Sequence, residues 1–475
     1  MSSSVFLSSD DSAARRTATD PTRSFTVQAP AGSGKTELLI QRYLRLLSVV
    51  ERPEAIVAIT FTRKAAGEMR DRIVAALQDA RAATPVTKPH QSYTRELAVA
   101  ALDRDSELGW NLLDHPGRLR VQTIDALCTE IAASMPWLAR LGAMPQIVDD
   151  VRPLYREAAR RTVLKLGGEH GAAIETLLNH LDGEAWKLRD LLSSMLAVRD
   201  QWIALAVQTG DEERAAMEEA LARTVAQRVA SVERLVPQEL RASWTQLAAF
   251  TRLRNNMDWP SNHDAASWKA LAELVLTKGG DWRKQLNAKN GFGPGRERQK
   301  RECQDLIGAL SHVRGLDEAL ASLQKLPAIS FGDAQWDVMQ ALFDCLKLAV
   351  AELKLVFAEE GTIDFCEIGI AARQALGDDD HPTDLAFRLH GRIEHLLIDE
   401  FQDTSSGQYE LAEKLTSDWQ PDDGRTLFIV GDPMQSIYRF REAEVGLFLD
   451  ARERGVGNIA LQPLTLTAKI GRAHV

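Results

Sequence analysis

The stretch Phe25–Thr36, FTVQAPAGSGKT, constrains the fold more than any other part of this chain. Ser24 to Gln28 alternates like a short strand, and Ala29 to Gly34 is small and turn-forming. Leu38, Leu39, Ile40, Tyr43, Leu44 and Leu47 then recur at helical spacing. The pattern is strand, loop, helix. Such a turn aims the loop's backbone N–H groups and the positive end of the helix at one spot. Lys35 adds a point charge there, and the Thr36 hydroxyl can hold Mg²⁺. The candidate cradle for nucleotide phosphates is therefore Ala29, Pro30, Ala31, Gly32, Ser33, Gly34, Lys35 and Thr36. Ala29 stands where GxxxxGK[ST] has its first glycine, and so small a side chain still permits the tight turn. A Gly-Ser-Gly-Lys-Thr string also occurs in solvated linkers, but those lack the flanking strand and helix.

Further strand ends carry chemistry. Ile56–Thr60 is an apolar run followed by Phe61-Thr62-Arg63-Lys64 and a helix bearing Met69, Ile73 and Leu77. These exposed residue types suit a nucleic-acid backbone with one base stacked on the ring, and a solvated helix start with Phe61 in the core explains the same letters. Leu119–Thr123 reads as a strand feeding the helix Ile124–Ala133. His395–Ile398 ends in Asp399-Glu400, and Leu427–Val430 ends in Gly431-Asp432-Pro433-Met434-Gln435. In an open parallel α/β sheet, ligands sit outside the carboxyl ends of the strands, so these acids and the phosphate loop are expected in one crevice. An Asp beside bound Mg²⁺ and a neighbouring Glu that activates water form the constellation NTP hydrolysis needs.

The 475 residues allow two or three domains with sizeable cores. A net charge of −10 leaves no global basic footprint, so nucleic-acid contacts would come from local patches. Cys128, Cys303, Cys345 and Cys366 are widely spaced, which argues against a zinc or iron–sulfur site. The N-terminus MSSSVFLSSDD lacks a basic leader region, and no long apolar stretch follows, so a cytoplasmic protein without membrane spans is expected. A short helix is expected from Asp11 to Thr19, and residues 78–116 are polar and helical in pattern. The region from about Trp137 to Val356 is Leu/Ala/Arg-rich and helical in pattern, an insertion into the α/β domain. Within it, Trp282–Arg301, WRKQLNAKNGFGPGRERQKR, interleaves basic residues with Trp282 and Phe292. The stretch fits either a track for a phosphate backbone or a solvated loop between helices.

Taken in order, the motifs resemble those of the UvrD/Rep superfamily 1 DNA helicases, most closely the AddA/RecB-type helicase–nuclease branch. APAGSGKT resembles motif I, TFTRKAAGEM motif Ia, QTIDALC motif Ib, LLIDEFQDTS motif II and VGDPMQSIYRFREA motif III; GTIDFCEI is similar to the segment leading into motif II. The resemblance implies a RecA-like P-loop NTPase domain (subdomain 1A, residues 1–135 and 356–468) with an all-helical insertion (subdomain 1B, residues 136–355). It implies ATP and Mg²⁺ as cofactors, with Lys35 on the β/γ-phosphates, Thr36 and Asp399 on Mg²⁺, Glu400 as base for the attacking water and Gln435 sensing the γ-phosphate. Phe61, Thr62, Arg63, Thr123, Tyr438, Phe440 and Arg441 would lie along single-stranded DNA. The implied activity is ATP-driven 3′→5′ translocation and duplex unwinding in recombination or repair, in company with a second helicase–nuclease subunit. A DNA-binding scaffold with a lost ATPase and an unrelated P-loop ATPase are the rival readings. The intact Lys35, Asp399, Glu400 and Gln435 argue against the first, and GDPMQSIYRFR is unexplained by the second.

Four departures stand out. Ser9–Ala18 has no clear counterpart of the glutamine that reads adenine in these helicases, and Asp125 replaces a common histidine in motif Ib. Motifs IV to VI, the second RecA-like domain and any nuclease domain do not occur in the sequence, so the 475-residue chain is expected to bind nucleotide weakly and not to unwind DNA. After Ala468 the resemblance leads one to expect Asn-(Tyr/Phe)-Arg-Ser. The chain instead reads Lys469 and then IGRAHV, which is what ATC GGA AGA GCA CAC GTC encodes, the start of a sequencing adapter. Residues 469–475 are thus expected to be a non-native tail. Resequencing the locus checks this: an open frame running on into Asn-(Tyr/Phe)-Arg-Ser is the expected outcome, and one ending in IGRAHV refutes it.

Overall fold

A computed structural model describes residues 9–85, 89–135, 145–207, 211–249, 259–261, 264–326, 329–378, 381–386, 391–435 and 445–467. The tail 469–475 lies outside them. The chain divides into two compact units: Met1–Glu169, Gly183–Ala204 and Cys345–Val475 form the first, and His170–Asp182 with Leu205–Asp344 the second.

The first unit is built on a six-stranded parallel sheet of β1 (Phe25–Gln28), β2 (Ile56–Thr60), β3 (Arg120–Thr123), β4 (His395–Ile398), β5 (Thr426–Gly431) and β6 (Gln462–Thr465), in the order β6-β1-β5-β4-β2-β3. The parallel α/β expectation therefore holds. Strands β2, β4 and β5 are buried along their whole length, which is why they read as continuous apolar runs rather than alternating ones. Val456 and Ile459 close a tight bridge just ahead of the last strand. Around the sheet lie α1 (Ser9–Ala18), α2 (Lys35–Leu47), α3 (Arg63–Arg81), α4 (Pro89–Leu108) and α5 (Ile124–Ser134). Leu38, Leu39, Tyr43 and Leu44 of α2 and Met69, Ile73 and Leu77 of α3 join one core with Val27, Ile56, Ala58 and Val121 of the strands.

Two buried arginines organise this unit. Arg42 of α2, wholly buried, donates to the carbonyls of Ala18 (3.2 Å), Arg23 (2.9 Å) and Asp20 and to Thr426 Oγ1 (2.9 Å), so it ties the entry of β1 to the start of β5. Burial pushes its pKa down to about 9, although Asp20 pulls the other way. Arg199 donates a fork to Asp364, at 2.7 and 2.6 Å, and a further bond of 2.8 Å to Glu367. Asp364 in turn accepts from the Tyr155 hydroxyl and caps the helix Phe365–Leu376 through the Glu367 N–H, 2.7 Å away. Burial pushes the Asp364 pKa up, but the hydrogen bonds and charge of Arg199 outweigh it and hold the carboxyl below its ordinary value.

The described residues of the second unit are largely helical, with one antiparallel bridge between Leu276 and Trp282. Its core gathers Val229, Val232, Trp244, Leu247, Trp268, Leu271, Leu310 and Leu320. Three indoles stack edge-on, Trp244 to Trp259 at 6.2 Å and Trp259 to Trp268 at 5.1 Å. Each N–H is satisfied, by the Leu271 carbonyl, Glu233 and the Ser261 carbonyl respectively. Phe292 is buried in this core and Trp282 packs against it. The Phe292 ring is therefore taken up by packing and Trp282 is half-buried against the same core, while Lys284, Arg296, Arg298 and Arg301 face solvent.

Arg199→Met should lower stability at pH 7 by about 3–5 kcal/mol, because it leaves Asp364 buried without its counter-charge. Urea denaturation measures the loss. A carboxyl whose folded pKa is depressed contributes stability above its unfolded pKa and loses it as pH falls through the folded value. The deficit of the variant should therefore shrink at acid pH.

Candidate active site

The carboxyl ends of β1, β4 and β5 meet because β5 pairs with β1 on one side and β4 on the other, Val27 opposite Val430 and Ile398 opposite Ile429. The Ala29 N–H donates to the Gly431 carbonyl at 3.0 Å, so the phosphate loop leaves the sheet locked to its neighbour. In the loop the Ser33 N–H closes a turn onto the Pro30 carbonyl at 3.1 Å. Gly32 and Gly34 have φ of 78° and 79°, a left-handed backbone that a side chain at either position would strain. No side chain caps the first turn of α2, which leaves its amide donors for an anionic ligand. The Ser33 hydroxyl is wholly buried and finds no partner among the described residues. Ala31 and Gly32 are exposed and Thr36 is half-buried at the helix start.

Lys35 Nζ lies 2.7 Å from Glu400 Oε2, so the loop lysine and the DE end of β4 do come together. Glu400 itself has φ of 49°, uncommon for a residue with a side chain, and its N–H donates to Asp399 Oδ1 at 2.9 Å. The Asp399 carboxyl is pushed up to about 7, first by burial and then by the adjacent Glu400 charge, with Lys35 opposing both. A half-buried carboxyl held this way gains from a nearby cation. Among the described residues no group of three or more His, Cys, Asp or Glu could hold a metal. The Asp399 carboxyl and the Thr36 hydroxyl are oxygen donors of the kind that Mg²⁺ takes beside phosphate oxygens and water. The residues present therefore fit a Mg²⁺-bound nucleotide.

Gln402, within the DEFQDT stretch but given no role there by the sequence, links that stretch to the GDPMQ stretch after β5. Its Nε2 donates to Glu400 Oε2 at 2.8 Å, while its Oε1 accepts from the Asp432 N–H at 2.9 Å. A Cβ on Gly431 would come within 2.7 Å of that Oε1 and 2.9 Å of the Phe448 ring, so only glycine lets the glutamine approach. Asp432 also accepts from the Met434 N–H at 3.1 Å, and the Met434 side chain is 86% exposed. Gln435 ends the short 3-10 turn Pro433–Gln435. Arg15 of α1, equally unmarked in the sequence, is buried against the loop carbonyls.

Of the residues expected on DNA, Phe61, Thr62, Arg63 and Thr123 sit at two neighbouring strand ends, since Thr60 of β2 pairs with Thr123 of β3. Phe61 is half-buried, and Thr62 and Arg63 are exposed. Both threonine hydroxyls act locally as helix caps. Thr62 accepts from the Ala65 N–H at 3.1 Å, and Thr123, buried, from the Ala126 N–H at 3.2 Å. Tyr438, Phe440 and Arg441 lie outside the described residues. No helix among the described residues is long and apolar enough to cross a membrane.

Comparison with known proteins follows the same lines. The family model for the UvrD/REP helicase N-terminal domain matches residues 10–454. An ATP-dependent helicase/nuclease subunit of Oceanobacillus iheyensis is 26% identical over 469 residues, spanning 90% of this chain and 35% of that protein. The proteins of the same name from Bacillus cereus and Lactobacillus helveticus are 23% and 24% identical, spanning 91% and 89% of this chain and again 35% of their own length. The chain thus spans 35% of the length of these relatives. With a match over nearly its whole length and a phosphate loop in contact with the acidic end of β4, the chain belongs to the UvrD/REP helicase N-terminal domain family.

Proposed function

We propose that the chain is the N-terminal motor portion of an ATP-dependent 3′→5′ DNA helicase, part of a helicase–nuclease that works in recombination or repair. The observation that carries this reading is the 2.7 Å contact between Lys35 and Glu400 in a chain of this family. In this reading the parallel sheet is the RecA-like subdomain 1A, from residues 1–135 and 356–468, and residues 136–355 are the helical insertion 1B. Lys35 and the loop amides hold the phosphates, Thr36 and Asp399 hold Mg²⁺, and Gln435 senses the γ-phosphate. Mg²⁺ held by these residues would supply charge neutralisation at the phosphates. Glu400 orients and deprotonates the attacking water, and the Gln402 amide keeps its carboxylate aimed while phosphate competes for Lys35. Phe61, Thr62, Arg63, Thr123, Tyr438, Phe440 and Arg441 form the single-strand path, where stacking on a ring contributes about 1–3 kcal/mol per base. The half-exposed ring of Phe61 and the exposed Arg63 support the first part of that path. Duplex DNA, a cytoplasmic setting and a second helicase–nuclease subunit complete the proposal. Relatives that bear the name ATP-dependent helicase/nuclease support it.

In the full-length protein, Lys35→Ala and Glu400→Gln should each lower DNA-stimulated ATP turnover by about 10²–10⁴-fold and abolish unwinding. Lys35→Ala should also weaken nucleotide binding, whereas Glu400→Gln should spare it, since Glu400 acts on the water. Phosphate release and equilibrium binding of a labelled nucleotide separate the two. Wild-type turnover in either variant would refute the assignment, and an intact protein without DNA-stimulated turnover would favour a scaffold.

A further inference from the structure

Arg15 is only 6% exposed, and nothing in the nucleotide reading gives it a task. A guanidinium is costly to bury unless its donors are used. Here Nη2 donates to the Ser33 carbonyl, and Nη1 lies 3.5 Å from the Gly34 carbonyl. These two oxygens belong to consecutive peptide planes of the phosphate loop. In a planar trans peptide the C=O and N–H point in opposite directions. Gripping the Ser33 oxygen therefore turns the Gly34 N–H away from Arg15, and gripping the Gly34 oxygen does the same to the Lys35 N–H. The second plane is also held by the first helical bond, from the Leu38 N–H to the Gly34 carbonyl at 3.1 Å. The first plane has a left-handed glycine after it, with φ 79° and ψ 41°, so it is the one most in need of an outside restraint.

We propose that Arg15 is a positioning residue of the nucleotide site. From behind the loop, it fixes the Ser33–Gly34 and Gly34–Lys35 peptide planes so that their N–H groups face the phosphates. Its charge also polarises both amides, which strengthens them as donors. The helix α1 thus reaches the nucleotide through the loop backbone, without touching it. The inference rests on the nucleotide reading above.

The test uses the whole chain with Arg15→Met, Arg15→Lys and, as a control for the site itself, Lys35→Ala. ADP binding is measured by calorimetry, inorganic pyrophosphate by competition with ADP, and the melting temperature without ligand. Arg15→Met should weaken both ADP and pyrophosphate about tenfold, the scale of one lost charge-assisted hydrogen bond. Arg15→Lys should recover part of the loss, because an ammonium keeps the charge but cannot span two carbonyls as a fork. Arg15 that merely docks α1 would give a lower melting temperature with unchanged ADP and pyrophosphate affinity, and that result overturns the inference. If Arg15→Met fails to fold, Arg15→Lys decides alone: weakened pyrophosphate binding supports the inference, and wild-type affinity overturns it. A wild-type chain that binds no ADP overturns the nucleotide reading and this inference with it, whereas wild-type binding with unaffected Arg15 variants overturns this inference alone.

Discussion

The parallel pairing of β1 with β5 is the constraint on which the rest of the site depends. The phosphate loop follows β1, and residues that could work with it lie at the far end of the chain, after β4 and β5. Only when β5 and β4 slot in beside β1, ahead of β2 and β3, does the loop open toward Glu400 and Asp432. The Ala29 N–H to Gly431 carbonyl bond fixes where the loop begins, and Gly431 leaves room for Gln402 to approach. Arg42 secures the same pairing from the opposite ends of the strands, by holding the carbonyl of Arg23 and the hydroxyl of Thr426 together. Sheet geometry and site geometry are one arrangement.

Within that frame the site concentrates charge it does not fully neutralise. Two adjacent carboxylates share one lysine, one of them buried enough to shift its pKa to about 7. The backbone at Glu400 takes a left-handed conformation that costs on the order of 1–3 kcal/mol for a residue with a side chain. Such expense is usual where a side chain must be aimed at a reaction rather than at its own fold. Gln402 spreads the arrangement further, since the amide that aims Glu400 also senses the backbone of Asp432. A shift of the β5 end would be felt at the carboxylate. The turn Pro433–Gln435 that follows leads into the segment expected on DNA.

The sequence by itself determined the parts whose physics is local. A glycine-rich turn between an alternating run and an amphipathic run can hardly be anything but strand, loop and helix, and Phe25–Gln28 and Lys35–Leu47 follow from it. The buried strands β2, β4 and β5 were legible for the same reason, as was the placement of Asp399 and Glu400 just past a strand end. Tertiary structure decided what depends on residues distant in the chain. Strand order is set by how helices cover the sheet, so the Lys35–Glu400 contact could be expected but its 2.7 Å could not. The partners of Arg15, Arg42 and Arg199 are carbonyls and carboxylates brought up by folding, and nothing marks these three among the chain's other arginines. The stretch around Trp282 and Phe292 left a backbone track and a solvated loop equally open, because periodicity cannot tell an exposed ring from one that a core will absorb. The helix-capping bonds of Thr62 and Thr123 were likewise invisible in the motifs, and they arise because a hydroxyl at a strand-to-helix junction first meets the free N–H groups of the helix it precedes.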